Sequence, residues 1–340
     1  MRCPTLKDLP PPPPGKTGWP WTEESAQLPD LMPESSSWPR ISIITPSLNQ
    51  GQFIEETIRS VLLQGYPDIE YIIMDGGSSD DSISVIRKYS YWLSYWESKP
   101  DRGQAHAINR GFKHASGQIN SYLNSDDFYM PAALEAVSFS FNRNHINDLF
   151  VGNCVVFNEK QIREIWIPQL PINRNTVLIR SVFAQPACFW TNQIHDSLGG
   201  LNESFSYCLD QEFFIRILLN NKLPVHVNKT LASFRMHEGS KTLSSKLSFY
   251  SETISIIKMY SYVIGLTKKQ HNALIRKCTA GWIRTRVWER WRQKNRAHAI
   301  ALLIQMIVEF PYVTLDRSTL GQAKRLFCKT YDSVKKEHLI

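Results

Sequence analysis

From residue 40 onward, short apolar runs alternate with stretches whose apolar positions recur every three to four residues. "ISIIT" (41–45) suits a strand buried on both faces. In "FIEETIRSVLLQ" (53–64), Phe53, Ile54, Thr57, Ile58, Val61 and Leu62 share one helical face, and Gly65 and Pro67 end it. "EYIIMD" (70–75) predicts a second strand, "GGSSDDS" a turn and "SISVIRKY" (82–89) a helix. A third strand is expected at 93–98, a helix over 104–115 stopped by Gly117, and a fourth strand at 119–123. Strands alternating with helices predict an α/β fold, a Rossmann-like, doubly wound and mostly parallel sheet.

The pattern then loosens. Residues 148–167 predict two antiparallel strands, and "CLDQEFFIRILLNN" (208–221) a loop entering a helix with Phe213, Ile217 and Leu218 inward. This α+β stretch is followed by a helical C-terminal region, and before the sheet lies a segment of another kind. Ten of the nineteen prolines precede residue 40, five of them consecutive at Pro10 to Pro14. Such a segment favours polyproline II and cannot pair as a strand, so an arm lying along the domain surface is expected. The organisation predicted is an arm (1–39), two halves of one α/β domain (40–147 and 148–244) and a basic helical region (245–340).

The polar clusters fall where the strands end: Thr45 to Asn49, Asp75 to Ser78, Asp101 and Arg102, and Asn124 to Asp127. In open α/β sheets this carboxyl edge is where ligands bind. The sharpest cluster is "SYLNSDDFYMP" (121–131), an apolar strand running into adjacent carboxylates. Like charges side by side repel and cost free energy to desolvate. Either they cap a helix, with Pro131 in its first turn, or a divalent cation binds both.

Composition narrows the picture modestly. A chain of 340 residues with 42% hydrophobic content can bury a sizeable core, and a net charge of +8 suits anionic partners. Six scattered cysteines without a CxxC pair (Cys3, Cys154, Cys188, Cys208, Cys278, Cys328) are expected to be reduced and not metal ligands. The N-terminus lacks the apolar core of a signal peptide, and the longest apolar run, "AIALLIQMIV" (299–308), is too short to span a bilayer. A cytoplasmic protein is expected.

The ordered set "ISIITPSLNQGQFIEETIRSVLLQGYPDIEYIIMDGGSSDDS", "KPDRGQAHAINRGF", "SYLNSDDFY", "QPACFW", "GGLNESFSYCLDQEFFIR" and "FRMHEGSKT" resembles family 2 glycosyltransferases over roughly residues 37–243. The resemblance implies a GT-A fold, a nucleotide-diphosphate sugar donor with a uridine nucleotide as the expected carrier, a divalent metal (Mg²⁺ or Mn²⁺) and inversion at the anomeric carbon. It further implies that Asp127, with Asp126 and His237, holds the metal. The same Asp126 would face the ribose or the metal's water shell. Asp75 would take the nucleotide base, and Thr45, Pro46, Ser47, Asn49, Gly76, Gly77, Ser78, Asp101, Arg102, Asn109, Asn124 and Ser125 would line the donor. Asp210 would be the general base, with Glu212 behind it, and Gln185 and Trp190 would face the acceptor. Departing diphosphates need such a Lewis acid, and hard cations prefer carboxylate and phosphate oxygens.

One position departs: the family's acidic residue in "GQxDAIN" is His106 here. It keeps open a catalytically silent sugar-nucleotide or membrane-binding protein, beside a nucleotidyltransferase of related fold. The expected acceptor is a saccharide, a lipid-linked saccharide or a protein, and no nucleic acid is expected. Between 268 and 296, ten Lys or Arg face one acid, Glu289, while Leu274, Cys278, Trp282, Ile283, Val287 and Trp291 recur at helical spacing. That stretch is either a helix packed with a solvated basic face or an interfacial helix at the inner face of an anionic membrane.

Overall fold

The computed structural model describes residues 1–143, 149–158, 161–220, 223–293 and 296–309. Two compact units emerge, Met1–Leu243 and Ser244–Ile340. The first opens with β1 (Ile41–Ser47), α1 (Ile54–Leu62), β2 (Ile69–Asp75), α2 (Ser82–Tyr89), β3 (Tyr95–Ser98), α3 (Gln104–Phe112) and β4 (Ile119–Tyr122). It continues through β5 (Phe128–Tyr129), α4 (Ala133–Arg143), β6 (Leu149–Asn158), β7 (Gln161–Trp166) and α5 (Arg174–Val177). It closes with β8 (Cys188–Thr191), α6 (Asn192–Leu198), α7 (Leu209–Leu219), β9 (Val225–Arg235) and α8 (Lys241–Ser244).

Strand order among the described residues is β3-β2-β1-β4-β8-β6-β9-β5, with β7 added on β6. The expected parallel half is present: β1 pairs with β2 from Ile41↔Ile69 to Ser47↔Asp75 and with β4 from Ile41↔Ile119. Every residue of β1 is buried, as its apolar run predicts. Beyond β4 the sheet turns mixed, because β8 runs antiparallel to both β4 and β6 while β6 and β9 run parallel. Residues 148–167 do form an antiparallel pair, β6 with β7, though Asp148, Glu159 and Lys160 lie outside the described residues. Strand β1 runs two residues further than its apolar run suggests, so Pro46 and Ser47 belong to it.

The proline-rich arm does more than lie on the surface. Cys3, Leu9, Met32 and Trp38 are buried in the main core. Backbone N–H groups of Cys3, Ser25 and Leu28 donate to the carbonyls of Tyr66, Leu63 and Gly65, just beyond the end of α1. Unpaired carbonyls at a helix end need such partners. Gly65 has φ +65, and a Cβ there would sit 2.1 Å from the Ala26 carbonyl, so only glycine lets the arm pass. Arg59 of α1 is fully buried, and its guanidinium donates to the carbonyls of Pro10, Pro20 and Trp21 and to the Tyr89 hydroxyl. A buried cation is tolerated when its donors are satisfied, and here main-chain oxygens of the arm do most of that.

The second unit contains α9 (Lys246–Tyr260), α10 (Lys268–Arg292) and α11 (Arg296–Glu309). Thr267 caps α10 in a capping box with Gln270. Gly281 lets α10 approach α9, since a Cβ there would meet the Tyr250 ring at 2.6 Å. Ile283, Val287, Ala299 and Leu302 form its small core, flanked by Trp282 and Trp291. The expected apolar face of 268–296 therefore packs inward, with Cys278 also buried. Lys294 lies outside the described residues. No described helix is long and apolar enough to cross a membrane. Cys3, Cys154, Cys188, Cys208 and Cys278 are buried and none is in a disulfide among the described residues; Cys328 is outside them.

Candidate functional site

The first polar layer is built by turns at the ends of β1 and β2. Asp75 closes its own turn: one carboxylate oxygen accepts from the Gly77 and Ser78 N–H groups and the Ser98 hydroxyl, and the other accepts from the Ser78 hydroxyl. Asn49, at φ +53, ties this turn to the β1–α1 loop: its N–H donates to Ser78 Oγ at 2.7 Å, and its Oδ1 accepts from the Ser79 N–H at 2.9 Å. Gly76 is needed because a Cβ would lie 2.7 Å from Asp101 Oδ2. Asp101 in turn accepts from the Gly103 N–H at 2.7 Å, ahead of α3. Ser47 Oγ and Gln50 Oε1 are buried without a partner in the same loop. An orphaned buried polar atom costs free energy unless something else satisfies it.

Not every expected position faces this edge. The Thr45 side chain turns inward, its hydroxyl 3.1 Å from the buried Tyr71 hydroxyl. Asn109 spends its amide on the main chain of Leu201, donating to its carbonyl and accepting from its N–H, both at 2.8 Å. The expectation that Asn109 reaches a donor is therefore corrected: it anchors the 199–203 loop. That loop delivers Glu203, which pairs with exposed Arg102 at 2.8 Å. The Arg102 hydrogen bond holds the Glu203 carboxyl below the usual carboxylate range. His106, where an acid was expected, accepts from the Arg102 N–H at 3.2 Å through Nδ1. The partner of the Arg102 guanidinium is thus an acid from far along the chain.

The second layer is the loop after β4. Asp127 is buried, 1% exposed, and its Oδ1 accepts from the Arg235 N–H at 2.9 Å. Burial first, and the neighbouring Asp126 charge second, push its carboxyl well above the usual range, against the pull of the Arg235 N–H and the Asn124 amide. Asp126 Oδ2 lies 3.0 Å from His237 Nε2, which arrives just after β9. Ser125 is buried beside them, and Asn124 accepts from the Gln104 amide at 2.7 Å. Sequence reasoning missed what holds this loop. The Arg235 guanidinium donates to the Asp126 carbonyl at 2.9 Å and to Glu56 at 2.7 Å. It lies over the rings of Phe53, Phe128 and Phe157. Phe53 also packs on His237, ring centroids 4.6 Å apart. An arginine two residues ahead of the histidine in "FRMH" was the available signal. Lys241 was missed as well; its ammonium donates to Gln104 Oε1 at 2.8 Å.

Asp126 and Asp127 with His237 form a donor set of the kind Mg²⁺ or Mn²⁺ accepts, and a cation would relieve the repulsion that lifts the Asp127 carboxyl. Among the described residues no group of three His, Cys, Asp or Glu is already arranged around a metal. Oxygens of a bound ligand would have to complete the shell.

Asp210 sits half-buried in the first turn of α7. Cys208 is the N-cap, and Asp210 is the second residue of the helix, one of two acids in its first turn. The Asp210 charge is felt by Tyr122 and Cys188, whose side chains are pushed up by burial first and by Asp210 second. Glu212 is buried and forked by Arg216 with contacts of 2.9 to 3.1 Å. Arg216 also donates to the Leu198 and Gly200 carbonyls, so Glu212 fixes a loop and is poorly placed as a substitute base. The acceptor assignments at 185 and 190 are corrected by burial. Trp190 is 0% exposed among Phe112, Tyr122 and Phe213. Gln185 is buried, donates to the Tyr122 carbonyl at 2.7 Å and contacts Asn124, so it braces the loop after β4.

Residues 42–193 match the sequence profile described as Glycosyl transferase family 2. An uncharacterised glycosyltransferase of Mycobacterium tuberculosis, Rv1514c, is 30% identical over 207 residues, 58% of this chain and 76% of that protein. Among solved structures, S. aureus TarS in complex with UDP-GlcNAc superposes with a TM-score of 0.55 at 17% identity, covering 71% of this chain and 72% of the other. A mannosyltransferase of Pyrobaculum calidifontis, PcManGT, in complex with GDP-Man and Mn²⁺ gives 0.53 at 15% identity, over 90% and 89%.

Proposed function

Because the chain belongs to glycosyltransferase family 2 and has the GT-A fold, we propose that it transfers a sugar, with inversion, from a uridine-diphosphate donor to a hydroxyl of a saccharide or lipid-linked acceptor. The observation that carries this reading is the convergence of Asp126, buried Asp127 and His237 at the carboxyl edge of the sheet, braced by Arg235. The uridine assignment draws support from the UDP-GlcNAc complex of TarS, and the metal from the Mn²⁺ in PcManGT.

Asp127, Asp126 and His237 would hold Mg²⁺ or Mn²⁺, which when bound supplies Lewis-acid neutralisation of the departing diphosphate. The chain's own groups do the rest. The turns of Asn49, Asp75 and Ser78 frame the nucleotide, and Ser47 and Gln50 offer it their unpartnered oxygens. Arg102, at the rim, offers a guanidinium to the diphosphate. Asp210 takes the proton from the acceptor hydroxyl as that oxygen attacks the anomeric carbon from the face opposite the leaving group. The test is incubation with a panel of UDP- and GDP-sugars with and without Mn²⁺. Metal-dependent slow hydrolysis of a UDP-sugar is expected; hydrolysis of GDP-sugars alone would overturn the uridine assignment, and none at all the activity.

The second unit suits contact with the inner face of an anionic membrane. Helix α10 is rich in Lys and Arg, and on α11 Ile300, Ile304 and Val308 recur every four residues and are exposed, Ile304 at 56%. A basic helix beside an apolar stripe matches an interfacial binding mode. Sedimentation with vesicles containing phosphatidylserine should show binding that weakens with salt, and neutral vesicles should not.

A further inference from the structure

A cleft of about 530 Å³ lies away from the carboxylate pair, between the end of β7 and the segment that follows it. Its walls carry Glu164, Trp166, Asn173, Arg180 and Val182. The side chains of Glu164 and Arg180 form no ion pair or hydrogen bond among the described residues, although the Arg180 N–H donates to the Thr176 carbonyl. Asn173 uses its carbonyl oxygen on the Asn175 N–H at 2.9 Å, which leaves its amide hydrogens to donate. Two unpaired opposite charges, an amide and a half-buried indole therefore face one space.

The two walls are fastened to the two halves of the candidate centre. On one side Trp166 stands opposite Cys154 in the β6–β7 register. Cys154 in turn pairs with Ala232 of β9, three residues before the Arg235 whose N–H donates to Asp127. On the other side, the Val177 carbonyl accepts from Gln211, the residue after Asp210, at 2.8 Å. Phe183 packs edge-on against Phe214 of the same helix, centroids 5.4 Å apart. The chain also leads directly from the cleft to the loop after β4. Val182 and Gln185 are three residues apart, a span of at most roughly 10 Å, and Gln185 contacts Asn124 at 3.4 Å. The last wall residue of the cleft is therefore only three positions from a side chain that touches the carboxylate loop.

Resting on the glycosyl-transfer reading above, we infer that this cleft is an acceptor subsite for an uncharged oligosaccharide, with Trp166 against a sugar face and Glu164, Asn173 and Arg180 on its hydroxyls. Pockets of this kind combine an aromatic wall with a few convergent polar groups. The lining pairs one carboxylate with one guanidinium, so its local charge balances although the chain as a whole is basic. A polyanionic acceptor would meet Glu164 as well as Arg180, so the lining gives it no net attraction.

The test uses the full chain with maltotriose, chitotriose and mannotriose as neutral probes and dextran sulfate as the anionic one, read by saturation-transfer NMR. At least one neutral trisaccharide should bind saturably, undisplaced by UDP, and bind tenfold or more weakly to Trp166→Ala and to Arg180→Ala. UDP binding should be unchanged in both variants, and the melting temperature should hold in Arg180→Ala and fall only modestly in Trp166→Ala, whose ring packs on the core. Absence of saturable trisaccharide binding, equal affinity in the variants, or preference for dextran sulfate overturns the subsite. UDP-sugar hydrolysis with Mn²⁺, measured on the same samples, separates the two readings. Trisaccharide binding without hydrolysis upholds the cleft and sinks the activity; hydrolysis without trisaccharide binding does the reverse.

Discussion

The edge formed by β1, β2 and β3 and the edge formed by the loop after β4 with β9 are both polar, yet they are held by different means. At the first, Asp75 bonds groups two, three and twenty-three residues away, and Asn49 reaches Ser78 and Ser79. These are turn bonds of modest worth, each about 0.5–1.5 kcal/mol net. At the second, Arg235 binds Asp126, Asp127 and Glu56 across 108 to 179 residues of chain, inside an aromatic cage. The first edge is redundant and local. The second depends on one buried cation whose loss strands two partners at once.

That contrast can be broken most sharply at Asp210, which belongs to the second edge. A positioned base contributes about 10² to 10⁴ in rate, or roughly 3 to 5 kcal/mol of barrier. Asp210→Asn should therefore lose activity on that scale while UDP affinity holds, since the donor is gripped elsewhere. Asn keeps the size and shape of the Asp210 side chain, so the melting temperature should change little. Transfer near the wild-type rate would return Asp210 to a structural role.

Arg235→Met should cost about 3–5 kcal/mol of stability, the scale for breaking a buried ion pair by removing one partner. Thermal melting measures it. Arg235→Lys keeps the charge but not the fork, so it should recover part of the stability and less of the UDP–Mn²⁺ affinity. A Met variant as stable as wild type would erase the distinction between the two edges.

Asp127→Asn should weaken Mn²⁺-dependent UDP binding by tenfold or more in calorimetry. Its stability should hold or rise. Burial and Asp126 favour the neutral form of Asp127, so its folded-state carboxyl titrates above its unfolded one. Stability from such a group is present at low pH and is lost as pH rises, a loss the amide does not suffer. Unchanged UDP–Mn²⁺ affinity would sink the metal assignment.

The smallest effect is expected at the first edge. Ser78→Ala removes one acceptor of the Asn49 N–H and one donor to Asp75, while the Gly77 and Ser78 N–H groups and Ser98 still hold the carboxylate. A loss of about 1 kcal/mol in melting is expected. A loss as large as that of Arg235→Met would show that the first edge is not redundant.

Much of this was legible in the residues. The apolar run at 41–45, the amphipathic period at 53–64 and the carboxylate pair at 126–127 each carry their message within a few positions, because burial on one face or two imposes a period on the chain. The positions that misled were those whose fate depends on distant partners. Trp190 reads as an acceptor contact until Phe112, Tyr122 and Phe213 close on it, and Asn109 reads as a ligand contact until Leu201 takes its amide.

The sequence by itself determined the strand–helix order, the parallel pairing of β1, β2 and β4, and the chemistry offered at their ends, since propensity, period and turn residues act locally. Only the tertiary structure decided which side chains complete that chemistry. It brought Glu203 to Arg102, set Arg235 and Glu56 behind the carboxylates, and seated the proline-rich arm on Arg59. Those outcomes rest on satisfying buried charges, and a buried charge accepts whichever partner the fold brings within reach, however far away it lies in the chain.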